Sequence, residues 1–150
     1  MIHLFKNIGA SFVVAFLIYT LLEKLESQYV YKFLENNLIN LLVTILAINS
    51  ATLSIVLVKI RELTDKSSSS DSFKATRIEM LFSIKEQIAL IFISLFLLAT
   101  ISSKKIVSLQ LVILNDSMNV ALIACFVYAM IILFDIAKSV FVILDYNSKD

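Results

Sequence analysis

Four stretches of this chain, residues 7–22, 36–58, 87–103 and 117–134, run without a single charged side chain. Each approaches the roughly 20 helical residues that a hydrocarbon core about 30 Å thick requires. A backbone inside lipid has to satisfy its own hydrogen bonds, which leaves α-helices or a closed barrel. A barrel needs frequent turn residues, and the chain holds one glycine, Gly9, and no proline. The fold class read from the sequence is therefore all-α: a polytopic membrane protein with four transmembrane helices. The expected spans are about 5–23, 37–58, 86–103 and 117–137, within one domain covering 1–150.

Composition agrees with that solvent. Apolar residues make up 59% and charged residues 17%, against roughly 45–50% and about 25% in soluble domains, so too little polar surface exists to coat a water-soluble globule. The formal net charge of +1 gives no bulk attraction to nucleic acid, and no direct nucleic-acid binding is expected. The single cysteine, Cys125, and the single histidine, His3, exclude an internal disulfide, a haem held by paired histidines and a Cys/His zinc site. No cofactor is expected.

The first run follows Lys6 and is largely apolar, as a secretory signal would be. The segment around Thr20 and Glu23 lacks the small-x-small cleavage pattern, so it reads as a retained first span. With the N-terminus inside, Lys6, Lys59, Arg61, Lys66, Lys74, Arg77, Lys85, Lys138 and Lys149 lie on the cytoplasmic side, against Lys24, Lys32, Lys104 and Lys105 outside. That asymmetry predicts both termini in the cytoplasm. The uncharged segment 106–115 is too short to cross and reads as lying at the outer interface.

The polar connection 59–85 is expected to form a short cytoplasmic helical hairpin. Its tip is the serine-rich stretch 66–72, and on its return arm Phe73, Arg77, Met80, Leu81, Ile84 and Ile88 recur at helical spacing.

Candidate functional residues cluster in the second span. Asn40, Thr44, Ala47, Ala51 and Ser54 follow at intervals of four and three, so they share one helix face. Small and weakly polar side chains allow close helix approach in lipid, and the face reads as a packing seam within the bundle. Asn49 lies roughly opposite, at about 100° per residue. An amide at that depth needs a partner, which places Asn49 at the axis or interface of a homo-oligomer. A pore lined by Asn49, Thr52 and Ser50 is the competing reading, although no charged ring marks a selective channel. Glu23 and Glu86 read as span-end residues rather than intramembrane carboxylates. Asp135 and Lys138, three apart near the end of the last span, read as an interfacial pair. Together with Lys59, Arg61, Lys74 and Arg77 they form the expected docking surface for a cytoplasmic protein. Clustered catalytic carboxylates, a phosphate-binding glycine loop and a nucleophile motif are all missing, so no enzymatic activity is expected.

In size, span count, basic 59–85 connection and lack of catalytic residues, the whole chain resembles the membrane subunit of the Kiwa anti-phage defence system; no diagnostic motif accompanies the likeness. The resemblance implies an oligomeric inner-membrane component that senses envelope perturbation and docks a cytoplasmic partner. A small pore-forming effector, or an accessory subunit of a larger membrane complex, shares the same coarse features.

Overall fold

The computed structural model describes residues 2–67, 74–103 and 112–146. They form four helices: α1 (Ile2–Lys24), α2 (Tyr29–Ser67), α3 (Lys74–Ile101) and α4 (Val112–Tyr146). No strand occurs among the described residues. Each helix contains a stretch long and apolar enough to cross a membrane: Phe5–Lys24, Tyr29–Glu62, Arg77–Ile101 and Asp116–Phe141. The four-helix all-α membrane fold read from the sequence is the fold observed.

The packing is asymmetric. α4 contacts all three other helices, whereas α1 contacts α4 alone by backbone approach. The reason is legible in side-chain size. α4 buries Ala124, Cys125 and Ala129 among Leu122, Ile123, Tyr128, Ile132 and Ile136, and small residues let neighbouring backbones come close in lipid. α1 buries only a stripe, Ser11, Ala15 and Leu22, and leaves Phe5, Phe12, Phe16 and Leu17 exposed. Large apolar side chains on an outer face suit lipid tails, which are themselves apolar.

α1 and α2 are joined by a tight turn closed without glycine. The Ser27 amide donates to the Leu22 carbonyl and the Glu26 amide to the Glu23 carbonyl, both at 3.1 Å. Glu26 takes the left-handed conformation, φ 50°. This pairing is a Schellman cap, whose left-handed position usually carries glycine. A side chain there costs about 1 kcal/mol. The rings of Tyr19 and Tyr31 meet across the turn, 6.2 Å between centroids.

Hereafter the turn end is the end of the bundle at this turn, and the loop end is the opposite one, where Lys59 and Arg77 lie. α2 and α3 run as continuous helices toward the loop end, so the two arms of the expected hairpin are extensions of the spans themselves. The third candidate span starts at Arg77, nine residues ahead of the expected 86. Of the sequence-based features, the serine-rich tip at 68–72 and the interfacial segment at 106–111 lie outside the described residues. Residues 112–115 are the first turn of α4.

Candidate functional site

Most hydroxyl and amide side chains along the helices satisfy themselves on their own helix. Ser11, Thr44, Thr52, Ser54, Ser83, Thr100 and Ser139 each donate to the carbonyl four residues earlier, and Asn36 and Asn37 do the same through their amides. Such back-bonding removes the need for a neighbour. The groups that escape this pattern mark where the bundle does something more.

The first is a buried amide pair. Asn49 Nδ2 of α2 donates to Gln87 Oε1 of α3 at 2.9 Å, and both residues are 0% exposed. Asn49 Oδ1 and Gln87 Nε2 have no partner, so one of two possible reciprocal bonds is made. This corrects the expectation for Asn49. It faces inward, between α2 and α3, and not an oligomer axis. It also sets Asn49 apart from a lining with Ser50, which is exposed about 100° around the helix.

That bond also fixes relative depth. Asn49 lies two residues, about 3 Å along the axis, from the centre of the uncharged run 36–58. Gln87 is level with it, and its neighbour Glu86 is therefore near mid-depth as well. The candidate spans agree, because Glu86 is three residues from the centre of Arg77–Ile101 and Tyr128 is central in Asp116–Phe141. The Glu86 carboxylate and the Tyr128 hydroxyl lie side by side between α3 and α4, without the geometry of an ordinary hydrogen bond. Glu86 thus lies inside the third candidate span, Arg77–Ile101, and not at its end. The sequence reading failed here because it ended the third span at the last charge, whereas α3 carries Ile78, Met80, Leu81, Phe82 and Ile84 between its charges and stays within the bundle.

One turn or more toward the turn end, Ser94 is fully buried with its hydroxyl unbonded. It lies beside the buried thiol of Cys125 without the geometry of an ordinary hydrogen bond. Toward the loop end, Asp135 Oδ2 accepts from Asn7 Nδ2 of α1 at 3.0 Å. Asp135 therefore ties α4 to α1 rather than closing an ion pair with Lys138, which is exposed.

The second departure is the outer face of α2. Asn40, Thr44, Ala47, Ala51 and Ser54 are all exposed in the single chain, while the opposite face buries Leu38, Leu42, Ile45, Asn49, Leu53 and Val56. The spacing did define a face, but the face points away from the bundle. Long branched side chains fill the space between splayed helices better than Ala and Ser do, so they take the inner side. Asn40 lies seven residues, about 10 Å, from the centre of the uncharged run, inside a half-thickness of about 15 Å. Among the described residues its side-chain amide has no hydrogen-bond partner, although the side chains of Asn36, Asn37 and Thr44 have one.

Of the expected docking cations, Arg61, Arg77 and Lys138 are exposed, and Lys59 pairs with Glu62 at 2.9 Å on its own helix. Lys74 begins α3, and its side chain lies outside the described residues. Among the described residues no group of three His, Cys, Asp or Glu side chains could hold a metal ion. No protein-family model matches the chain, and neither a curated protein nor a solved structure does.

Proposed function

We propose that this chain is a non-catalytic membrane component that assembles with copies of itself through the outer face of α2 and presents its loop end to a soluble partner. One observation carries the reading: five small or weakly polar residues, Asn40, Thr44, Ala47, Ala51 and Ser54, line an exposed helix face at bilayer depth. Among them stands the Asn40 amide, which has no partner among the described residues. Lipid offers neither hydrogen bonds to that amide nor close packing to such a flat strip, while a second α2 offers both.

The exposed cations Lys6, Arg61, Arg77 and Lys138 at the loop end support a docking role there. The distribution of Lys and Arg favours that end being cytoplasmic, and the resemblance to the Kiwa membrane subunit favours a bacterial inner membrane. The further proposal, that the component serves anti-phage defence by sensing envelope perturbation, rests on the resemblance to the Kiwa membrane subunit.

Cysteine cross-linking tests the assembly. In a Cys125→Ala background, Ala47→Cys and Ala51→Cys are expected to give disulfide-linked pairs in membranes, and Phe96→Cys on the exposed side of α3 is not. Equal cross-linking at Phe96→Cys would reduce the result to random collision and defeat the reading. Conductance from vesicles holding the assembled protein would turn the same face into a pore lining, with Asn40 and Thr44 wetted.

A further inference from the structure

Glu86 occupies an unusual place for an acid. It lies near the middle of its candidate span, half-buried, with the Tyr128 hydroxyl beside it. An ionised carboxylate at that depth is costly unless a cation compensates it, and cations are scarce around it. From α4 it is faced by Tyr128 and by a second acid, Asp135. α1 does not pack on α3, and α2 brings no ionisable group to that depth, its nearest being Lys59 at the loop end. On α3 itself, Lys85 is exposed on the outer side and Glu79 lies two turns away.

The surroundings also decide what could neutralise it. Tyr128 and Asp135 are seven residues apart, on one face of α4. Tyr128 reaches Glu86 of α3 and Asp135 reaches Asn7 of α1, so this face lies between two helices that do not touch each other. The line Asn7–Asp135, Tyr128, Glu86 runs from the loop end to mid-depth. Two oxygen-bearing side chains at its inner end are too few for a metal cation, which takes six or more oxygens when hard and divalent. A proton needs only one.

We propose that Glu86 is a proton-binding site within the membrane, held by Tyr128 and reached from the loop end along the Asn7–Asp135 face. Glu86 binds the proton as a neutral carboxyl and releases it toward Asp135, so that the charge at the centre of the bundle reports the acidity on the loop-end side.

Dicyclohexylcarbodiimide tests this, because it enters lipid and reacts with protonated carboxyls there. The carboxyl proton passes to a carbodiimide nitrogen, the carboxylate oxygen bonds to the central carbon, and acyl migration leaves a stable N-acylurea. With the purified chain in phosphatidylcholine vesicles at about pH 7, well above the ordinary glutamate range, peptide mapping should find one adduct, at Glu86. Glu86→Gln should abolish it while keeping the wild-type helical spectrum. Tyr128→Phe removes the nearest hydroxyl that can turn to the ionised form and should carry labelling to higher pH. No adduct at Glu86 between about pH 5 and 8, with labelling there by a water-soluble carbodiimide and an amine instead, would put the carboxylate on a wet surface and overturn the proposal. So would labelling unchanged by pH. Neither readout depends on self-assembly through α2.

Discussion

Along α2 the face turned into the protomer carries Leu34, Leu38, Leu42, Ile45, Leu53 and Val56 around a single amide, Asn49. The face turned out carries Asn40, Thr44, Ala47, Ala51 and Ser54. In a water-soluble helix that arrangement would need no comment, since polar residues would simply meet solvent. In lipid the outer environment is as apolar as leucine, and no hydrophobic force sorts the two faces. The inner face is held by dispersion between interlocking branched side chains, and the outer face has no comparable grip on mobile lipid tails. The difference teaches that the two sides of α2 answer to two different contacts, one within the chain and one beyond it.

The largest test of that division lies on the inner face. Leu42 is 0% exposed, and Leu42→Ala should destabilise the protomer by about 2–5 kcal/mol through the cavity it leaves. Its neighbour Val43 points outward, about half exposed, and Val43→Ala should cost within about 0.5 kcal/mol. Unfolding of each variant in mixed detergent measures both, and equal losses would erase the distinction between the faces.

The amide pair sharpens the comparison at intermediate size. Asn49→Leu strands the Gln87 amide in an apolar interior, at a cost of about 1–3 kcal/mol. Replacing both, as Asn49→Leu with Gln87→Met, removes the stranded group and should recover most of that loss. A double-mutant cycle reads the coupling directly. Additive losses would mean that the two residues act separately, despite their 2.9 Å bond.

The sequence made the helices plain, because uncharged length and missing breakers leave few alternatives. It also made plain that Asn49 needed a partner. The identity of that partner was hidden: Gln87 follows Lys85 and Glu86 directly, and a charge is the natural place to end a span. Only the α2–α3 register reveals that these residues are level with Asn49. Periodicity likewise separates two faces of α2 without saying which one turns inward, since the leucine face and the small-residue face repeat with the same step. Hydropathy contrast, which settles such questions in water, is weak here. The cap at Glu26 escaped notice because its left-handed position lacks the glycine that would have advertised it.

The smallest expected effect falls on the outer face, and it separates the two contacts most sharply. Asn40 has an exposed amide without a partner among the described residues, so Asn40→Leu removes no contact seen within the protomer. Its unfolding should be unchanged, or slightly harder, because an unpaired amide no longer faces lipid. Association should weaken instead, by about 0.6 kcal/mol, the average for one interhelical hydrogen bond in a membrane. Fluorescence energy transfer between labelled copies in vesicles, followed as the protein is diluted into lipid, measures that difference as a shift of roughly threefold in the midpoint, since 1.4 kcal/mol corresponds to tenfold. If Asn40→Leu instead destabilised the single chain and left association untouched, the outer face would belong to the protomer's own packing, and α2 would have one kind of contact on both sides.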